Sequence, residues 1–102
     1  MQRSYAVYWN EAGGRRYAGR LELEPGYAQF AGGSRHGARR LFRIYFDDLE
    51  AVHCRGGRLR IARRSEPELV VGSVDGPGTL HEVADRLRAS LLPSRLRLAA
   101  ER

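Results

Sequence analysis

The chain has 102 residues, carries a net charge of +6 and contains one cysteine. A single domain of this size buries enough surface to fold without a disulfide or a metal ion, and one cysteine excludes an internal disulfide. The content of 42% hydrophobic and 29% charged residues excludes a disordered chain, and no segment reaches the roughly 20 apolar residues of a membrane span. We therefore expect a globular cytoplasmic domain in which Cys54 is a small core residue.

The positive charge is uneven along the chain. All 18 basic residues are arginine, and residues 1–46 carry eight of them against three glutamates. Residues 65–102 carry five arginines against six acidic residues. An excess of positive charge attracts anionic partners, whereas a chain without lysine is also what the codon usage of a GC-rich genome produces. Both explanations stay open.

Alternating apolar residues, interrupted by glycine or proline about every ten residues, predict an antiparallel β-protein. In the first segment Tyr5, Val7 and Trp9 share one face, because successive side chains of a strand alternate. Six further segments follow this one. The predicted strands are Tyr5–Trp9, Arg15–Glu24, Tyr27–Ala31, Leu41–Phe46, Leu49–Cys54, Arg58–Arg63 and Glu68–Val74.

The last part of the chain changes to helical spacing. Thr79 and Glu82 are spaced as a capping box, and Pro93 is expected to end the helix. We predict one domain over residues 1–92 and a tail over residues 93–102 that is helical or docks on a partner chain. The apolar stripe of the predicted helix consists of Leu80, Val83, Ala84, Leu87 and Leu91.

Seven short strands followed by one amphipathic helix resemble the pleckstrin-homology-like (PH-like) superfold. The segment FRIYFDDLEAV (residues 42–52) is similar to the I-x-[YF]-x-D-[LI]-x-x-V stretch of bacterial PH-like and GRAM-like domains. The resemblance extends over roughly residues 5–92. It implies a mainly β (α+β) fold, a seven-stranded antiparallel barrel or sandwich capped by one C-terminal α-helix. Where phosphoinositide-binding members carry a basic residue late in the first strand, this chain has Trp9 and Asn10.

The resemblance also implies where a ligand would bind. In PH-like folds the loops between strands one and two, three and four, and six and seven cluster at one open end. Each of these loops carries an arginine doublet here, and nearby glycines can bring backbone N–H groups close to an anion. The predicted anion- or partner-binding residues are Arg15, Arg16, Arg35, His36, Arg39, Arg40, Arg63 and Arg64, with Gly13, Gly14, Gly32, Gly33 and Gly37 as the glycines.

The number of doublets carries little weight by itself. With 18 arginines in 102 residues, about three adjacent pairs arise in a shuffled sequence. A solvated basic rim without a ligand therefore explains the doublets as well as an anion site does.

No catalytic or metal-binding motif is present in the sequence. His81 and Glu82 begin the segment HEVAD, in which Asp85 occupies the place of the second histidine of a zinc motif. His53 and Cys54 are neighbours on a predicted strand and therefore point to opposite faces. We predict no catalytic residue, no metal and no cofactor, and an enzyme is the weakest interpretation.

The sequence favours a small, non-enzymatic binding or scaffold module of the cytoplasm, which can also act at the membrane periphery. Its expected partner is another protein, a second copy of the chain, or an anionic lipid or phosphate reached through the arginine-bearing loops. Nucleic-acid or anionic-lipid binding through the same arginines is the alternative.

Overall fold

The computed structural model describes residues 4–100, with the side chains of residues 4–76 and 78–91. Seven strands form one antiparallel sheet, and a single helix follows them. The predicted mainly β fold with one C-terminal helix is confirmed. The elements are β1 Ser4–Glu11, β2 Arg16–Glu24, β3 Tyr27–Ser34, β4 Arg39–Tyr45, a 3₁₀ helix Phe46–Asp48, β5 Leu49–Arg55, β6 Arg58–Arg63, β7 Leu69–Ser73 and α1 Pro77–Ala100.

The sheet is open rather than closed. Its strand order is β4-β3-β2-β1-β7-β6-β5, so β1 joins the two halves by pairing with both β2 and β7. Within residues 4–100, β4 and β5 do not pair with each other, because the 3₁₀ helix Phe46–Asp48 connects them in place of a hairpin turn. Of the two predicted forms, a barrel or a sandwich, the structure has the sandwich with one helix, because the sheet is not closed into a barrel.

One face of the sheet forms the core together with α1. Trp9 and Tyr5 are the largest fully buried side chains, and the Phe30 and Phe42 rings stack with their centroids 5.0 Å apart. The helix α1 packs on β5, β6 and β7. The predicted inward residues of the first strand and the first four residues of the helical stripe are buried, which confirms both patterns. The buried apolar residues are Tyr5, Val7, Trp9, Leu21, Leu23, Ala28, Phe30, Ile44, Leu49, Val52, Leu59, Ile61, Leu69, Val71, Leu80, Val83, Ala84 and Leu87.

Strands β3 and β4 are longer than predicted. Gly32 and Gly33 were expected in a loop, but they lie in β3 and pair with Arg40 and Arg39 of β4. Glycine favours loops, yet strand pairing on both sides outweighs this preference here. The connection between β3 and β4 is consequently a tight turn of residues 35–38.

The helix has different ends from those predicted. It begins at Pro77, directly after Gly76 with a φ of 115°, and not behind a Thr79 cap. Proline suits the first helical position, where no N–H is needed. The helix continues to Ala100, so the predicted end at Pro93 is wrong, although a proline there removes one intrahelical hydrogen bond.

The suggested docking role of the tail, residues 93–102, falls on side chains that lie outside the described residues. No helix in the part of the chain that the structure describes is long and apolar enough to span a membrane.

A carboxylate ties the two halves of the sheet together at one end of the core. Glu11, the last residue of β1, accepts hydrogen bonds from Arg40 of β4 at 2.9 Å and from Arg63 of β6 at 3.3 Å. Both guanidinium groups lie over the Phe42 ring, at 5.1 and 5.9 Å from its centroid. Trp9 contacts the same ring edge-on. Side chains thus link β4 and β6, which share no backbone ladder.

Two glycines allow the backbones of β2 and β3 to approach each other closely. Gly19 and Gly32 are direct cross-strand partners, and a Cβ atom at either position would overlap backbone atoms of the other strand. Such a close approach of two backbones is possible only without side chains.

We expect Gly32→Ala to destabilise the fold by at least about 2 kcal/mol, because the added methyl group has no room against the Ala18 carbonyl. Chemical denaturation monitored by Trp9 fluorescence measures this change. Gly33→Ala is the matched control, since a Cβ atom there meets its nearest neighbour, the Ala38 oxygen, at 3.4 Å. An equal loss of stability in both variants would contradict the proposed close approach.

Glu11→Gln should lower the free energy of unfolding by about 1–3 kcal/mol, because it removes the negative charge beside the buried Arg63 guanidinium. Glu68→Gln is the control. It breaks the ion pair with Arg60, in which both side chains are over 40% exposed, and should cost less than about 1 kcal/mol. Thermal and urea unfolding of the two variants compare the pairs, and similar losses would contradict a special role of Glu11.

Candidate anion-binding rim

Three connections meet at one end of the sheet, and we call them the rim: residues 12–15, 35–38 and 64–68. The N–H of Ala12 donates to the Glu68 carbonyl at 3.0 Å, which joins the first connection to the third. The hydrogen bonds of Arg40 and Arg63 to Glu11 hold the ends of β4 and β6 against the end of β1. The loops that carry the predicted site residues are therefore neighbours in space.

The doublet Arg39 and Arg40 is divided between two faces, because adjacent residues of a strand point in opposite directions. Arg40 turns towards the core end, where it pairs with Glu11 while 42% of its side chain remains exposed. Arg39 points to the outer face of the sheet and is exposed. Because they lie on opposite faces of the sheet, the two guanidinium groups cannot bind the same small anion.

The doublet Arg63 and Arg64 is divided in the same way. Arg63 is 8% exposed and donates to the Pro67 carbonyl at 2.6 and 3.1 Å and to Glu11 at 3.3 Å. Its guanidinium group is committed to internal partners, and we do not keep it among the candidate ligand-binding residues. Arg64 is exposed, and its backbone N–H donates to the Asp48 carbonyl.

The third doublet, Arg15 and Arg16, has one residue in the rim and one on the outer face. The Arg16 guanidinium lies 4.6 Å from the centroid of the Tyr8 ring. Arg58 of β6 donates to the Tyr8 hydroxyl at 2.6 Å. The ring lies over Gly72, where a Cβ atom would overlap it. Tyr8 is thus enclosed by two arginines, which makes Arg16 part of a structural cluster, while Arg15 stays exposed.

Four of the five glycines of the predicted backbone nest have other roles in the fold. Gly32 and Gly33 belong to β3. The N–H of Gly14 donates to the Glu11 carbonyl at 2.7 Å, and that of Gly37 to the Ser34 carbonyl at 3.1 Å. The Ser34 hydroxyl accepts further bonds from the turn, from the backbone N–H of His36 and of Ala38. These groups close turns and are not directed at an external anion.

Four arginines near the rim keep their charge uncompensated. They are exposed, and in the described ranges of the chain none forms an ion pair with an acidic residue. His36 lies exposed in the same turn as one of them. The arrangement can offer guanidinium groups to carboxylate or phosphate without first breaking an internal pair. These arginines are Arg15, Arg35, Arg39 and Arg64.

The outer face of the sheet contains a groove that the sequence did not reveal. Its volume is about 520 Å³, and Arg20 and Arg39 line it together with Asp75. Its floor consists of the small residues Ala6, Ala18, Ala31 and Gly33. A prediction of the pairing register of the β1–β2 and β2–β3 hairpins would have identified these residues. They are outward-facing cross-strand neighbours in β1, β2 and β3.

A row of outward side chains on β4 continues from this groove. Arg43 donates to Gln29 at 3.0 Å and lies 4.5 Å from the Tyr27 ring centroid. A hydrogen bond with Tyr45, and then the proximity of Tyr27, raise the pKa of the Arg43 guanidinium above its ordinary value. Arg43 therefore keeps its positive charge at any physiological pH.

A second depression of about 600 Å³ lies at the other end of β2, between the β2–β3 turn and α1. Leu23, Phe46 and Leu87 form its apolar part, and Arg86 and Ser90 its polar part. Of the described His, Cys, Asp and Glu side chains, no three are arranged to hold a metal ion. Cys54 is half-buried against the core.

No protein-family model matches this sequence, and no curated protein matches it significantly. Among solved structures, the chain is similar to the C-terminal domain of an unknown protein from Leishmania infantum, with a TM-score of 0.62 and 13% sequence identity. The match covers 82% of this chain and 80% of the other. At this identity the similarity shows a shared fold, and it is not evidence of a shared activity.

Proposed function

We propose that this protein is a non-enzymatic binding module that recognises an anionic partner through the exposed arginines of its rim. The observation that carries the proposal is the set of arginines without an acidic partner among the described residues: Arg15, Arg35, Arg39 and Arg64. The resemblance of the sequence to PH-like domains, in which ligands usually bind at loops between the corresponding strands, supports it.

The energetics of the rim favour an anionic partner. An arginine that already pairs with a carboxylate must lose that pair before it binds a ligand, whereas these four side chains lose only water. Glu11 is paired with two guanidinium groups and Glu68 with Arg60, so their charges do not offset the rim. Glu66 is exposed in the rim and, among the described residues, offsets at most one of the four arginines. The rim should therefore raise the local concentration of anionic surfaces and speed their encounter.

We take the partner to be the acidic surface of another cytoplasmic protein. A single-stranded nucleic acid stacks its bases on aromatic rings beside the arginines, but near the rim Tyr8 is enclosed by Arg16 and Arg58. The exposed Tyr45 lies at the other end of β4. A specific inositol-phosphate site would need converging basic side chains, and the doublets diverge. A protein surface needs neither, because separated arginines can each meet a different carboxylate.

The double variant Arg15→Ala/Arg35→Ala tests the proposal, since the pairing of Tyr17 with Ser34 places the two loops side by side. We expect its affinity for poly-glutamate at low salt to fall about ten-fold, as two charge-assisted contacts are lost. Anionic vesicles and a single-stranded oligonucleotide serve as parallel probes. Fluorescence anisotropy and vesicle co-sedimentation measure the binding.

Arg20→Ala/Arg55→Ala is the matched control, because it removes the same charge away from the rim. Equal losses of affinity in the two double variants would show that net charge attracts the probe non-specifically, and would contradict a specific role of the rim. Binding of vesicles or of the oligonucleotide alone would reassign the partner, and the absence of binding to all three probes would refute the proposal.

A further inference from the structure

Strand β4 ends the sheet and leaves one of its edges unpaired. Phe46 donates to the Gly26 carbonyl, and Ser34 donates to the Ala38 carbonyl, so the even-numbered residues of this register carry the hydrogen bonds to β3. Hydrogen-bonded and non-hydrogen-bonded pairs alternate along an antiparallel ladder. The N–H and C=O groups of the odd-numbered residues, 39 to 45, must therefore point to the free edge.

These groups have no backbone partner within residues 4–100. The side chains of the same odd-numbered residues face outward and alternate between arginine and apolar residues. Leu41 is 68% exposed and Tyr45 is 54% exposed, while Arg39 and Arg43 stand on either side of Leu41. A strand with an open backbone edge and exposed apolar side chains is a template for pairing with another strand.

The opposite edge of the sheet is covered. Strand β5 lies under α1, and Arg88 of the helix donates to the Val52 carbonyl at 3.1 Å. The fold therefore protects β5 with its own helix and leaves β4 without a comparable cover in the described residues.

We propose that β4 binds an extended acidic segment of a partner protein as an additional antiparallel strand. Main-chain hydrogen bonds to the free edge would provide affinity, and side-chain pairs on the outer face would provide selectivity. Acidic residues of the segment lie opposite Arg39 and Arg43, and apolar residues lie opposite Leu41 and Tyr45. The inference rests on the proposed function in that the partner is anionic.

A second copy of the chain fits this edge less well. Antiparallel self-pairing centred on Leu41 places Arg39 opposite Arg43 of the other copy, and pairing centred on Arg43 places this residue opposite itself. Pairing centred on Phe42 avoids direct opposition but leaves Arg43 diagonal to two arginines. Like charges opposite each other destabilise a sheet, so the arginines select against self-pairing and for carboxylates.

The test uses a blocked octapeptide of sequence VTETVTET, whose glutamates and valines share one face. Antiparallel to β4, its glutamates lie opposite Arg39 and Arg43 and its valines opposite Leu41 and Tyr45. We expect it to bind the wild-type protein and to bind Leu41→Pro at least about ten-fold more weakly, because proline removes a free-edge N–H and obstructs pairing. The Leu41 N–H is not used by β3, so this variant should keep its fold. Phe42→Pro is the contrasting control, because it removes a hydrogen bond to β3 and should lower the melting temperature.

Modified peptides provide a second arm that leaves the protein unchanged. In an antiparallel pair the glutamate and valine N–H groups face β4, so N-methylation of these residues should abolish binding. N-methylation of the threonines should have little effect. Equal binding of the two methylated peptides, or no binding of the unmodified peptide at low salt, would overturn the inference. A dimer that dissociates in Leu41→Pro would assign the edge to a second copy and overturn it as well.

The measurements distinguish a failure of the rim proposal from a failure of the β4 inference. Arg15→Ala/Arg35→Ala leaves β4 intact and should keep peptide affinity within about three-fold of wild type, a change expected from screened long-range charge. If this variant loses poly-glutamate binding while the peptide binds Leu41→Pro as it binds wild type, only the β4 inference is refuted. If poly-glutamate binding survives in the rim variant and the peptide still requires β4, only the rim is refuted.

Discussion

The carboxylate of Glu11 is the interaction on which this end of the molecule depends. Strands β4 and β6 share no backbone ladder, so at the rim they are linked through side chains. One carboxylate accepts from Arg40 of β4 and Arg63 of β6, above the face of Phe42. Without its negative charge, Arg63 would be a cation in the core, held only by the Pro67 carbonyl. The position of the rim loops follows from this arrangement.

Arginine therefore has two separate uses in this fold. Arg63 and Arg58 are internal: the first completes the Glu11 cluster, and the second fixes the Tyr8 ring over Gly72. Arg35 and Arg64 are external and add charge without adding structure. The overall excess of arginine is thus a poor measure of binding capacity, because part of it is consumed within the fold and only the remainder can meet a ligand.

Local patterns in the sequence predicted the elements better than their partners. Alternation placed Tyr5, Val7 and Trp9 on the inner face, and helical spacing placed Leu80 and Leu87 there, because these periodicities depend on each residue's own backbone. For the doublets, alternation after Leu59 and Ile61 puts Arg63 on the inner face, but it does not show which group accepts from its guanidinium. The acidic partner is Glu11, 52 residues away, a contact that no local pattern contains.

Gly32 is a second residue whose position depends on a neighbouring strand and could not be predicted from the local sequence pattern. Gly32 suggested a loop, but it lies in a strand because the backbone of Gly19 approaches too closely for any side chain. The requirement comes from the neighbouring strand, not from the intrinsic preference of glycine. A register for the β2–β3 hairpin would have identified it, since this register makes the two glycines direct partners.

The two edges of the sheet differ in a way that links fold to function. A small sheet with two open edges would tend to aggregate, and this chain removes one by placing α1 along β5. The other edge stays open but carries Arg39 and Arg43, which oppose pairing with a copy of itself. The same two charges leave pairing with an acidic strand favourable. An edge protected against self-association by charge of one sign is, for that reason, selective for a partner of the other sign.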